Sequence, residues 1–209
     1  FQLGNTFATL TDNFKAHSAY NRLKEKHPKS SYIPGVLLRQ GLLFYNDNNH
    51  DKAIAKYKEV TAKYPYSNEA KQAVSNAKNV YIDLGNVDEY ATWVKGLSFV
   101  NISDEEVENT MFEAAENKFL EDDSKKAIKG FEKYIKKFPN GSHALKANFY
   151  LAQLLSKDGK KEDATKNYEY IVAQNQNEFS EEALNRLSQI YLEKENWNAA
   201  MPLLSRLEL

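Results

Sequence analysis

The feature that most constrains this chain is that it repeats itself. The skeleton Leu3-Gly4-x-x-Phe7, Ala16-x-x-x-Tyr20-x-x-Leu23, Pro28 returns as Gly41-x-x-Phe44, Ala53-x-x-x-Tyr57-x-x-Val60, Pro65, displaced by 37 residues. Further steps of 37 reach Tyr90 with Val94 and Leu97, Ala127 with Phe131, Tyr134 and Pro139, and Ala164 with Tyr168 and Ile171. A last step of 36 reaches Ala200 with Leu204 and Leu207. An array of this kind is built from one supersecondary unit that cannot bury its own apolar face and must stack on its neighbours.

The period of the apolar residues says what the unit is. In 125–138, Ala127, Ile128, Phe131, Tyr134, Ile135 and Phe138 share one side of a helical wheel, and Lys125, Lys126, Lys129, Lys133, Lys136 and Lys137 the other. A second helical stretch precedes each such helix, as 33–45 precedes 51–64. Asp12, Asn49, Asn86, Asp123 and Asn196 stand four residues before the Ala16 position, where their side-chain oxygens can cap the second helix; Lys160 is the exception. Pro28, Pro65 and Pro139 end that helix, because the residue before a proline is pushed out of helical geometry. A new helix is expected behind Ser67, behind Ser103 with Glu106 as a capping box, and behind Ser180 with Glu181 and Glu182. Pro202 should kink the last helix.

Small residues recur at one place on each helix: Gly4, Gly41, Ala115, Ala152 and Ser188 on the first, and Ala16, Ala53, Ala127, Ala164 and Ala200 on the second. They let the two axes approach to about 8 Å. The third unit has Lys78 and Tyr90 at these places, so a shifted or opened packing is expected there.

Composition excludes much else. Eight Gly and five Pro in 209 residues are too few for a sandwich or barrel with a turn every eight to twelve residues, and 42% apolar with 12% aromatic residues excludes global disorder. Without cysteine there is no disulfide framework, thiolate metal site or Cys nucleophile, and the redox compartment stays open. A net charge of -1 supplies no general attraction to nucleic acid, and no apolar run approaches the roughly 18 residues of a membrane span. Residues 1–10 lack a signal-peptide pattern; the chain does not begin with Met, so a removed or upstream signal stays open. His17, His27, His50 and His143 include no i, i+4 pair, and Asp122-Asp123 and Glu105-Glu106 sit where helices start, as caps. No catalytic residue, metal or cofactor is expected. The lysine stripe of 125–137 is a solvated face on this reading, with an acidic partner or lipid surface as the rival.

The pattern Leu-Gly-x-x-aromatic, Ala-x-x-x-aromatic, Pro resembles the tetratricopeptide repeat (TPR) along essentially the whole chain, with three residues added to that family's 34 in segments such as 29–31 and 140–142. The resemblance implies an all-α, right-handed α-solenoid of helix-turn-helix units, at about 1–30 (partial), 31–67, 68–103, 104–141, 142–178 and 179–209 (partial). Because position 1 falls within a first helix and position 209 within a second, the chain is expected to be a fragment of a longer protein. The joins Phe138-Pro139-Asn140-Gly141-Ser142 and Tyr64-Pro65-Tyr66-Ser67 are similar to those of bacterial cell-envelope TPR proteins of the outer-membrane assembly lipoprotein and Tol-Pal-associated coordinator types.

In this family the first helices line a concave groove, one and five places after the leading aromatic position. Carried over, these are Phe1 and Asn5, Leu38 and Leu42, Ser75 and Asn79, Phe112 and Glu116, Phe149 and Gln153, and Asn185 and Gln189. The resemblance implies a protein or peptide partner, with Asn5, Leu38, Leu42, Tyr45, Asn79, Phe112, Glu116, Phe149 and Gln153 as the groove surface. The helix with Leu37, Leu38, Gly41, Leu42, Leu43 and Phe44 is apolar nearly all round and is the first place to look. A clamp of Lys and Arg on a terminal carboxylate is not supported, since Phe1 stands where its first Lys belongs. The expected function is a non-catalytic interaction scaffold in outer-membrane or envelope assembly, periplasmic or outer-membrane-associated. The alternatives are a cytosolic adaptor or co-chaperone, or a regulatory array attached to an enzyme. The sequence leaves the oligomeric state open.

Overall fold

The computed structural model describes residues 1–208; Leu209, expected inside the last helix, lies outside the described residues. The described residues form twelve α-helices and no strand. They fall into two compact units, Phe1–Ser103 and Asp104–Leu209. Unit 1 holds α1 (Gln2–Thr9), α2 (Asn13–Lys26), α3 (Ile33–Asn46), α4 (His50–Lys63), α5 (Asn68–Leu84) and α6 (Val87–Lys95). Unit 2 holds α7 (Asp104–Leu120), α8 (Ser124–Lys137), α9 (Ala144–Lys157), α10 (Lys161–Val172), α11 (Ser180–Glu193) and α12 (Trp197–Leu207). Odd and even helices pair as hairpins, and α12 runs through Pro202 to Leu207.

Each hairpin turn is made the same way. Thr11, Asn48, Gly85, Asp122, Gly159 and Glu195 all have φ between 56° and 76°. The next residue's N–H reaches back five places in every case, for example Asp12 to the Phe7 carbonyl at 2.9 Å and Asn49 to the Phe44 carbonyl at 2.8 Å. This is the Schellman closure, which satisfies orphan carbonyls at the end of the first helix. Asp12, Asn49, Asn86, Asp123 and Asn196 are the N-caps of the following helices. Asp12, Asp123 and Asn196 accept from the backbone N–H three residues on, whereas Asn49 and Asn86 make no side-chain cap bond.

The proline stops act as expected. His27, Tyr64 and Phe138, each preceding a proline, leave helical geometry with ψ of 61°, 52° and 64°, and α2, α4 and α8 end one residue earlier. Ser67 caps α5 through the Ala70 N–H. Ser180 does not cap α11: Phe179 takes that position, and the Ser180 hydroxyl accepts from the Asn177 N–H at 2.9 Å, bracing the preceding loop.

The small residues are the contact points of the hairpins. Ala16, Ala53, Ala127, Ala164 and Ala200 are fully buried, with Tyr20, Tyr57, Phe131 and Tyr168 one turn along at 0–1% exposure. Burying each of these rings stabilises by about 1.5–3 kcal/mol. The contact is achieved differently in the two units. A Cβ on Gly41 would lie 2.5 Å from Tyr57 Cε1, and one on Gly4 would run into the Tyr20 ring. In α7/α8 the glycine is on the other helix, where a Cβ on Gly130 would be 2.8 Å from that of Ala115. The third hairpin is shifted by one residue: Ala77 and Ala91 are buried beside Lys78 and Tyr90, and α6 has only 9 residues. Tyr81, Tyr90 and Trp93 fill its core with centroids 6.0–6.4 Å apart.

Candidate functional site

Helices α1, α2 and α3 line an open cavity of about 300 Å³, with Asn5, Ala8 and Thr9 of α1, Tyr20 of α2, and Arg39, Leu42, Leu43 and Asn46 of α3. Residues 39, 42, 43 and 46 share a face because they are three, four and seven apart on one helix. Gly4 shapes the back wall: with no Cβ beneath it, the Tyr20 ring lies across α1 and its hydroxyl donates to Asn5 Oδ1 at 2.7 Å. That bond leaves the Asn5 amide, which points to Gln2 Oε1 at a weak 3.4 Å, as a donor toward the cavity. Burial raises the Tyr20 pKa and the facing Arg39 guanidinium opposes the shift, so Tyr20 stays a neutral hydroxyl at physiological pH. Arg39 is exposed and forms no ion pair among the described residues. A concave wall with apolar Leu42 and donors from Arg39, Asn5 and Asn46 is suited to carbonyl or carboxylate oxygens flanked by an apolar side chain.

The same repeat position forms a second cavity in unit 2. It measures about 120 Å³ and is lined by Ser156, Lys161, Arg186, Gln189, Ile190 and Glu193. Arg186 corresponds to Arg39, and the buried tyrosine here is Tyr168, whose hydroxyl is 3.3 Å from Ser156 Oγ. This wall supplies its own acid: Glu193 takes Lys161 at 2.7 Å, and Glu182 takes Arg186 at 3.7 Å and the Gln153 amide at 3.3 Å.

The structure brings Asn5 and Leu42 into one cavity. Tyr45, one turn along α3, donates to Asp83 Oδ2 at 2.6 Å, and that bond together with burial pushes its pKa up to about 12. Asn79 is exposed on α5, away from that cavity's lining. In unit 2, Glu116 is paired with Lys146 at 2.7 Å, which raises the Lys146 pKa, and the ammonium also lies over the Phe112 ring.

Leu38, Phe112 and Phe149, expected as apolar platforms on the surface, are instead buried, at 8%, 4% and 7% exposure. Phe112 is stacked by His143 and Phe149 by Phe179, both at 4.4 Å, just as Phe1 is stacked by Tyr32 at 5.2 Å. In all three cases the covering ring is the residue that starts the next hairpin's first helix. The all-round apolarity of α3 has the same kind of cause, because α3 packs against α2, α4 and α5 at once. Arg39, Thr9 and Asn46 were not picked out from the sequence. The signal was there in the spacing of 39 and 46 around Leu42 on one helix face, outside the two positions carried over from the family.

A model of the tetratricopeptide repeat-like domain matches residues 90–208, more than half of the chain, and a tetratricopeptide repeat model matches residues 36–67. The chain belongs to the tetratricopeptide repeat family, whose fold is a scaffold for protein interaction. No curated protein matches it. Among solved structures it is similar to PilF of Pseudomonas aeruginosa, at 15% identity and a TM-score of 0.43 over 99% of this chain and 88% of that one. It is also similar to a tetratricopeptide repeat protein from Parabacteroides merdae, at 13% and 0.42 over 98% and 89%. MamA matches at 16% and 0.40 over 80% and 91%. Among the described residues no helix is long and apolar enough to cross a membrane, and no group of three or more His, Asp or Glu is placed to hold a metal.

Proposed function

We propose that the chain is a non-catalytic scaffold that holds an extended polypeptide segment in the unit 1 cavity between α1 and α3. The observation that carries this reading is Arg39: a guanidinium without an ion pair, set beside Asn5, Asn46 and Leu42 in a concave wall. The partner's apolar side chain packs on Leu42, and its oxygens receive the Arg39 and Asn5 donors, as in other recognition of extended chains by side chains on a preformed surface. Selection of binders from a random 12-residue peptide library on the full chain, followed by NMR shift mapping, tests it. Shifts centred on Asn5, Arg39, Leu42 and Asn46 are expected; failure to select any binder, or shifts centred elsewhere, contradicts the reading.

The setting we propose is the bacterial cell envelope, in assembly at the outer membrane. Its support is the proline-linked joins 64–67 and 138–142, which resemble those of envelope TPR proteins. Cell fractionation decides between this and a cytosolic adaptor or enzyme-attached array: recovery of the protein in the cytosolic fraction excludes the envelope.

A further inference from the structure

We infer that the solvent face of α8 is a docking strip for an acidic polypeptide segment, separate from the groove. Helix α8 carries six lysines and one acid, Glu132, whereas the rest of 104–209 carries nine Lys or Arg against nineteen Asp or Glu. Unit 2 is therefore acidic apart from one concentrated basic strip. All six lysines are exposed, and the packing of α8 is supplied by Ala127, Phe131 and Tyr134 on the other face. Lys126 is paired with Asp123 at 3.0 Å, while Lys125, Lys129, Lys133 and Lys136 form no ion pair among the described residues. The neighbouring carboxylate Asp158 is already held by Lys160 at 2.6 Å. Lysines at 125, 129 and 133 lie four apart, where like charges on one helix face repel one another. Nothing in the packing of the helix requires that cost, and an acidic partner removes it.

The dimensions and surroundings favour a polypeptide over a membrane. From Lys125 to Lys137 the strip is about 18 Å long at 1.5 Å per residue, the length of an extended segment of about six residues. A bilayer surface is wider than the strip, so its negative charge would also meet carboxylates beside the lysines, Glu132 on the same helix and Asp158 next to Lys125. The strip has no exposed large apolar side chain to enter a lipid interface; Ile128 and Ile135 are half-buried.

The test uses the full chain with fluorescein-labelled hexaglutamate, read by anisotropy at low salt, and with sedimented phosphatidylcholine vesicles containing phosphatidylglycerol. The variant Lys129→Glu, Lys133→Glu, Lys136→Glu is expected to weaken hexaglutamate binding at least 10-fold. The neutral triple variant, with Gln at the same three positions, is expected to weaken it about threefold and covers the case in which charge reversal perturbs folding. Lys71→Glu with Lys78→Glu in unit 1 is expected to leave binding unchanged. Carbodiimide cross-links should map to Lys129, Lys133 or Lys136. Cross-links elsewhere, binding unaffected by both triple variants, a loss caused by Arg39→Ala instead, or lysine-dependent vesicle binding without peptide binding each overturn the proposal.

Discussion

In unit 1, Arg39 stands by Tyr20 with two amides beside it and no carboxylate in the cavity wall; in unit 2, Arg186 stands by Tyr168 at the same repeat position, with Glu182 and Glu193 within reach. The backbone offers the same concavity twice. What differs is the residue under the tyrosine. Over Gly4, Tyr20 lies across α1 and reaches Asn5; over Ala152, the Tyr168 hydroxyl reaches Ser156, three residues further along the corresponding helix. The fold sets where a pocket can form, and a few side chains at fixed repeat positions decide whether its donors are spent internally or left for a partner.

The glycine contrast carries the largest expected effect. Gly41→Ala should destabilise unit 1 by about 2 kcal/mol, because the clash with Tyr57 outweighs the better helix propensity of alanine. At the corresponding position of unit 2, Ala152→Gly should also destabilise, by about 1 kcal/mol, since helix propensity is lost where the buried Tyr168 hairpin already accommodates an alanine. Urea unfolding distinguishes these outcomes, and a stabilising Gly41→Ala would break the contrast.

A smaller effect separates the far ends of the second helices. In unit 2 the Tyr134 hydroxyl and Ser142 donate to Glu108 Oε1 at 2.7 and 2.9 Å, and a Cβ on Gly141 would run into Glu108 and the Tyr134 hydroxyl. Unit 1 has apolar Leu23 and Val60 at the Tyr134 position. Burial of Glu108 opposes ionisation, but the hydrogen bonds from Tyr134 and Ser142 outweigh it and hold the carboxyl below the usual range. A depressed pKa contributes stability that is present above the ordinary glutamate pKa and lost as pH falls through the lowered one. Protection factors of amides at the α8–α9 join, taken against the intrinsic exchange rate at each pH, should therefore fall below about pH 4.5, and Glu108→Gln should remove that pH step at a cost of about 1 kcal/mol at neutral pH. An unchanged acid profile in the variant would assign the step to other carboxylates.

Much of the architecture was legible because periodicity, caps and proline stops are local. The paired helices, their boundaries and the tight alanine contacts all follow from one repeating pattern. The six left-handed turn residues were legible only in part: Gly85, Gly159, Asn48 and Asp122 suit that conformation, while Thr11 and Glu195 hide it. The groove was harder because its surface depends on contacts between hairpins. Leu38, Phe112 and Phe149 occupy the family's groove positions, yet packing buries all three, and rings some thirty residues downstream cover Phe112 and Phe149. Arg39 was missed because its importance lies in the absence of a carboxylate nearby, which becomes visible only in three dimensions.

The central claim is that unit 1 keeps its donors free for a partner while unit 2 spends its own. Calorimetric titration of a library-selected 12-residue peptide into the parent chain, Arg39→Ala and Arg186→Ala tests it most directly. Arg39→Ala should lose at least 10-fold in affinity, the size expected for a charged hydrogen bond, and Arg186→Ala should change by less than about threefold. Equal losses in the two variants, or none in Arg39→Ala, would contradict it.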